Sequence, residues 1–452
     1  MFRQHVQKTI LALLDQRLVR IYCIAIIIFS VASFAYKGIY TGLTPPLSID
    51  FTHHYVTGSL WSEGSNPYDV NLLRQRLVSV AGEEFVSYTN SLEAIYSYPP
   101  QASAFFSLFA LTSLPAAYAW FTLANLLLAL GSLAMLGYIL SWFRPIGLVE
   151  ITLLVSLLNT GFARGNIRYG QVGNLVGFFL LACFILAYHK RHTLAGIFLA
   201  LTSLKPTNII LYWLQAVLRK DYRLAVVTAA STLALTLLPV VLSGRSILVQ
   251  LEDYLFNTLS MTEAGNLNDP SPFVHDSLFM HHLETLVLRL LNTDAAFGRA
   301  IYLAAALILI GVTLYLLREK PARKEDVLLD FAILSAATMV TAYHRSYDVF
   351  LLFPGLLYVY VHIFGVNRRR KKLLWATFLF LQLFSLTLPE DLLLQTANQL
   401  PQVADTYLTR LIVPFQAWMH LALFFTLVAL KVRRPRWYRK TAPEAALNGS
   451  AI

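Results

Sequence analysis

The sequence predicts an all-α polytopic membrane protein, and three observations carry that prediction. Of 452 residues, 57% are hydrophobic and only 13% are charged, about half the charge of a soluble domain. The mean hydropathy is +0.57. Apolar runs of about 17–25 residues, long enough to cross a bilayer, recur along the chain between short basic clusters. No long polar stretch is present to form a soluble unit. Residues 1–452 therefore read as one integral membrane domain of about 11–13 transmembrane helices with a large first external loop.

The elements follow from apolar length and from the rule that basic loops stay on the cytoplasmic side. Residues 1–18 read as a cytoplasmic amphipathic helix. The first span, 19–35, lacks a small-residue cleavage site and is expected to stay in the protein. Residues 36–100 form the first external loop. Residues 102–114 are short for a span and read as re-entrant or in-plane, unless the count is off by one elsewhere. Spans at 116–140, 147–162 and 172–187 follow, with the turn from Gly165 to Gln171 external.

Only about 28 residues separate the basic clusters at Lys190 and Arg219, too few for two full spans. A rising and a falling half-helix, broken at Lys205-Pro206, fit that length, because Pro disrupts a helix and biases the residue before it away from one. Broken backbone at membrane depth needs protein or a water-filled cavity around it, so Lys205 is expected at a hairpin tip. Spans at 224–242, 297–317, 327–342, 349–364, 373–388 and 408–430 complete the bundle. They place the long loop 243–293, the segment 343–348 and the acidic loop 389–406 outside. The tail 431–452 is cytoplasmic, with six basic residues between Lys431 and Lys440.

This topology excludes several classes. The net charge of +11 falls in the short loops between spans, so it marks orientation and membrane lipid contact and not nucleic acid. Cys23 and Cys183 lie in apolar runs and read as buried hydrophobes. His53-His54 and His281-His282 lack the His-x-x-x-His spacing of a helical metal site, and none is expected. No Walker motif, dinucleotide loop or nucleophile elbow occurs, and no cofactor is called for.

The polar residues that remain gather on the external side. Asp50, close after the first span, is either a functional acid at the membrane edge or the N-cap of a helix from Phe51 to Trp61. Lys205 is either an anion clamp, most simply for a phosphate, or a lysine snorkelling to the interface. No carboxylate is its neighbour in sequence. Arg164 and Arg168 serve the same anion or lipid headgroups. His344 and Arg345 stand against the charge rule, followed by Tyr347 and Asp348. They are functional or structural on equal terms.

The order of these clusters carries a resemblance. Asp50, then Gly64-Ser65-Asn66-Pro67-Tyr68-Asp69, Tyr98-Pro99-Pro100, Gly170-Gln171-Val172-Gly173-Asn174 and Lys205-Pro206 together resemble the GT-C superfamily of membrane glycosyltransferases. Within it, the series is most similar to glycosyltransferase family 87, the polyprenyl-phosphate-mannose-dependent α-1,2-mannosyltransferases. The resemblance spans roughly residues 20–360. It implies a GT-C-type bundle that takes a sugar from a polyprenyl-phosphate donor to a lipid or glycan acceptor on the non-cytoplasmic face. It implies Asp50 as catalytic base, matches Lys205 to the family's Lys-Pro and places His344 in its His-containing segment; read from their charge, Arg168 and Arg345 are expected beside these two toward the donor phosphate. Substrate contacts are expected from His54, Tyr55, Tyr98, Gln171, Asn174 and Tyr347. One departure stands out: the family often has Asn-Gln-Ser in its long fourth loop, where this chain has Val274-His275-Asp276-Ser277. The competing readings are a flippase of lipid-linked sugars, which should show the internal repeat that this sequence lacks, and an O-antigen polymerase or ligase.

Overall fold

The computed structural model describes residues 2–44, 48–83, 95–263, 265–266, 268–271, 277, 280–292, 296–366, 368–387 and 414–433, with side chains from 16 onward except at 49, 296 and 369. Helix follows helix. The first, α1 (Phe2–Phe34), runs on through a π-helical turn to Leu43. No break separates the expected amphipathic helix 1–18 from the first span. Among the described residues, the expected first loop includes α2 (Ile49–Ser62) and α3 (Val70–Ala81), each with a side-chain N-cap, Ser48 and Asp69 respectively. Then come α4 (Pro100–Ser107), α5 (Leu114–Ser141), α6 (Leu148–Ser156), α7 (Asn166–Tyr169) and α8 (Gly173–Tyr188). The chain continues as α9 (His192–Leu201), α10 (Ile210–Leu218), α11 (Tyr222–Leu242), α12 (Ile247–Ser260), α13 (Leu283–Leu291) and α14 (Ala296–Leu317). It closes with α15 (Lys324–Thr341), α16 (Phe353–Gly365), α17 (Arg369–Thr387) and α18 (Phe415–Val432). The expected loop 243–293 thus contains α12 and α13. Loop 389–406 and the tail beyond Arg433 lie outside the described residues.

Among the described residues, six helices are long and apolar enough to cross a membrane, or seven if the pair Leu148–Asn159 and Gly161–Tyr169, bent by 43°, is one span. The remaining expected spans are shorter or carry charge. Helix α8 has 16 residues, α15 begins with Lys324, Glu325 and Asp326, and α17 begins with Arg369, Arg370, Lys371 and Lys372. At 102–114 the helical stretch is Pro100–Leu111, about 18 Å at 1.5 Å per residue, shorter than a ~30 Å hydrocarbon core.

The broken hairpin is present. Helix α9 runs through a 3-10 turn to Leu204, Lys205 is extended (φ −124°, ψ 93°), and a second 3-10 turn from Pro206 leads into α10. The hairpin packs against α8 and α11. Around it the core is built from α5, α8, α15 and α16. Helix α15 is buried along almost its whole length.

One ion cluster ties the last helix to the bundle. Asp330 on α15 accepts from Arg219 Nη2 at 2.5 Å and from Lys431 Nζ on α18, while Arg219 Nε donates to the Leu317 carbonyl at 2.7 Å. Asp330 is 1% exposed. Asp330→Asn leaves two buried cations sharing a neutral amide. Breaking a buried ion pair costs about 3–5 kcal/mol, so the variant should unfold at a markedly lower temperature in a detergent melt.

Candidate active site

Asp50 lies in the first turn of α2, where a carboxylate is favoured by the helix dipole. It is not the cap: Ser48 Oγ accepts from the Phe51 N–H at 3.4 Å. The helix start therefore does not claim the Asp50 carboxylate. What approaches it is the turn after α7. Gly170 ends that helix in the left-handed region (φ +65°), and a Cβ built there would stand 2.4 Å from Phe51 Cβ. Only glycine allows both the backbone angle and the contact. The next residue, Gln171, thereby reaches Asp50: its Nε2 donates to Asp50 Oδ2 at 2.6 Å.

The amide orientation of Gln171 follows from its other end. Tyr98 Oη donates to Gln171 Oε1 at 2.6 Å. An ionised carboxylate only accepts, so Gln171 must present its NH2 to Asp50 and its oxygen to a donor. Burial, and then the charges of Asp50 and Asp348, raise the Tyr98 phenol well above its ordinary pKa, which keeps it a donor. Tyr98 is itself held from behind, since Tyr68 Oη donates to its carbonyl at 2.8 Å and Asn257 Nδ2 donates to the carbonyls of Tyr68 (3.0 Å) and Tyr96 (3.3 Å). Gly170→Ala should push α2 and the turn apart. We expect at least a tenfold loss of turnover and about 1–3 kcal/mol of stability, measured by activity assay and thermal melt on the same preparation.

The hairpin tip supplies the cation. Lys205 Nζ donates to Asp348 Oδ1 at 2.7 Å and lies 4.3 Å from the centre of the Tyr347 ring. The lysine that has no carboxylate beside it in sequence has one in space, from 143 residues away. The other oxygen, Asp348 Oδ2, is 3.3 Å from His344 Nδ1 and accepts from the Arg345 N–H at 3.4 Å. Arg345 Nε donates to Tyr343 Oη at 2.6 Å, and both Arg345 Nη2 (3.1 Å) and Tyr343 Oη (2.7 Å) donate to Asn268 Oδ1. The segment 343–348 is fixed to the Gln171 turn by two devices. Asn166 Nδ2 donates to the Tyr347 carbonyl at 2.8 Å while its Oδ1 accepts from the Gly173 N–H at 2.7 Å. Gly161 lets the backbones touch, since a Cβ there would meet the Ser346 oxygen at 2.5 Å.

The structure thus places Asp50, Tyr98 and Gln171 in one hydrogen-bonded chain and Lys205, His344, Arg345 and Tyr347 in a second cluster around Asp348, with Tyr98 feeling the charges of both Asp50 and Asp348. It leaves four expected residues aside. Asn174 is fully buried and turns to α5, its Nδ2 3.4 Å from the Asn125 carbonyl. It lies in the first turn of α8, on the face packed against α5. Tyr55 Oη donates to the Thr112 carbonyl at 2.7 Å, five residues along α2 from Asp50 and facing another neighbour. Arg168 is exposed, over the Tyr169 ring, and makes no ion pair among the described residues. His54 is buried behind the tyrosines, stacked on Phe106 at 4.2 Å with its Nδ1 3.2 Å from Tyr96 Oη. Burial first, then His53 and Lys205, holds His54 well below the ordinary imidazole pKa, so it is neutral at pH 7 and supports the platform.

The sequence reading named Asp348 and Tyr68 without giving them a role, and gave none to Tyr343, Asn166, Asn257 or Asn268. Asp348 carried a signal, four residues after His344 in the same polar segment. The asparagines carried none, because each acts on backbone or side chains remote in sequence. Among the described residues, no group of three or more His, Cys, Asp or Glu side chains is arranged to hold a metal ion.

No curated protein and no solved structure matches the chain. The model of glycosyltransferase family 87 matches residues 96–343, more than half of the chain and the stretch that supplies Tyr98, Gln171, Lys205 and Tyr343, and the protein therefore belongs to that family.

Proposed function

We propose that this membrane glycosyltransferase transfers a hexose, mannose or a close relative, from a polyprenyl-phosphate donor to a lipid or glycan hydroxyl, with Asp50 as general base. The observation that carries the reading is the chain Tyr98–Gln171–Asp50, which orients one carboxylate at the end of the bundle where Lys205 also arrives. Asp50 and Asp348 lie outside the matched stretch and join it by contact with Gln171 and Lys205.

In the reaction, Asp50 takes the proton of the acceptor hydroxyl as its oxygen bonds to the anomeric carbon. The bond from that carbon to the phosphate oxygen breaks, and polyprenyl phosphate leaves with the electron pair. Lys205 and Arg345 face the charge that develops on it. The second carboxylate nearby, Asp348, is committed to Lys205 and His344, which supports a single-displacement reaction with inversion over a covalent intermediate between two carboxylates. By the charge rule, the site faces the periplasm or exterior of a bacterial plasma membrane.

The assay is release of polyprenyl phosphate by purified protein offered polyprenyl-phosphate sugars and a crude lipid acceptor pool. The product linkage is then assigned by NMR. Release with an inverted anomeric centre is expected. A retained centre would overturn the mechanism. Movement of intact donor across a vesicle bilayer, without release, would favour the flippase.

A further inference from the structure

We infer that the protein binds an anionic phospholipid at the end of the bundle opposite the Asp50–Lys205 site, in a cavity between the two roots of the Lys205 hairpin. The cavity measures about 430 Å³, within the range of small-molecule sites. The rising arm α9 contributes Leu199, the falling arm α10 contributes Ala216, and Phe331 of α15 and Cys183 and Phe184 of α8 line the interior. Its rim carries Lys190, His192, Lys320 and Asp221.

The charge at the rim points to an anion. Asp221 is paired with Lys320, and Asp330, deeper in the bundle, is held by Arg219 and Lys431. Both carboxylates are therefore neutralised. The exposed Lys190 ammonium makes no ion pair among the described residues, and His192 Nδ1 is buried without a partner. A phosphodiester suits that pair: it carries one negative charge and several acceptor oxygens, and it can take a charge-assisted bond from Lys190 and an N–H from His192.

The depth points to a lipid. The lining runs from Lys190, in the turn after α8, along the helix from Tyr188 down to Leu180. At 1.5 Å per residue the helical part is about 12 Å, close to one leaflet's share of a ~30 Å hydrocarbon core. A charged rim over one leaflet's depth of apolar wall fits a phosphate head with an alkyl chain beneath it. A soluble phosphate would leave that apolar wall unused. The site is separate from the transfer chemistry, so its test does not depend on the donor being correctly identified.

The experiment is native mass spectrometry of protein released from bilayers of equal phosphatidylglycerol and phosphatidylcholine, with glycerol phosphate as the soluble arm. Retention of phosphatidylglycerol over phosphatidylcholine, with no retention of glycerol phosphate, is the expected result. Lys190→Gln, at the rim and outside the transfer site, should weaken that retention about tenfold while transferase activity and melting temperature stay near wild type. Equal retention of both lipids, retention of glycerol phosphate to the same degree, or an unchanged Lys190→Gln would each overturn the proposal. Ala216→Leu, which narrows the chamber from the falling arm, gives an independent check: retention unchanged in a folded protein would also overturn it.

Discussion

Asp50→Asn is expected to lower turnover by about 10²–10⁴-fold, the range that a positioned general base contributes, while leaving the fold intact. Asparagine has nearly the same shape, and its side-chain oxygen can still accept from Gln171 Nε2, which now contacts Asp50 at 2.6 Å. What is lost is the ability to take a proton. The Ser48 cap is untouched, so α2 should form as before. Polyprenyl phosphate release should fall while the melting temperature moves by no more than a few degrees. Asp50→Glu should recover little, because one added methylene shifts the carboxylate off the line set by Tyr98 and Gln171, and a displacement of about 1 Å can cost 10²-fold. A variant Asp50→Asn that keeps a tenth of wild-type turnover would remove this residue from the role of base.

The second large effect concerns the Lys205–Asp348 pair. Its side chains are 11% and 3% exposed, and the contact is 2.7 Å. Removing either partner strands the other in a buried place, which costs about 3–5 kcal/mol. Lys205→Met and Asp348→Leu should each lower the melting temperature and abolish turnover. The double variant separates structure from chemistry. Replacing both charges by apolar groups restores much of the stability, because no unpaired charge is left. If Lys205 also stabilises the leaving phosphate, turnover stays down by about 10²–10³-fold, the usual loss on removing one donor to a developing oxyanion. Full recovery of both stability and turnover in the double variant would reduce Lys205 to a structural partner of Asp348. A melt and a release assay on all four proteins give the complete cycle.

The sequence carried most of the architecture. Apolar length and basic punctuation mark the helices because the bilayer is a severe solvent: each span must be long, apolar and internally hydrogen-bonded. The break at Lys205-Pro206 was legible for the same reason, since two full spans do not fit between Lys190 and Arg219 and proline supplies the interruption. Counting crossings led to the expectation that Asp50, Gln171, Lys205 and the 343–348 segment share one side; the described residues hold six or seven helices able to span, fewer than the count assumed. The continuation of α1 back to Phe2 was not legible, because changes in polarity along a helix need not interrupt its backbone ladder.

Contacts between segments remote in sequence were decided only by the tertiary structure. That Lys205 meets Asp348, that Gln171 is locked between Tyr98 and Asp50, and that Asn174, three residues further on, turns away to Asn125 all depend on helix rotation and on the close approaches at Gly161 and Gly170. Hydropathy reports how deep a residue sits but not which way it faces: Gln171 lies in the turn before α8 and Asn174 in its first turn, so the change of backbone from turn to helix sends the two side chains to different neighbours. By itself, the sequence determined that this is an all-helical membrane protein with its polar chemistry gathered at one end. Which of those polar side chains touch, and so which can share a proton or a phosphate, was settled by packing, because a hydrogen bond is made or lost within about half an ångström.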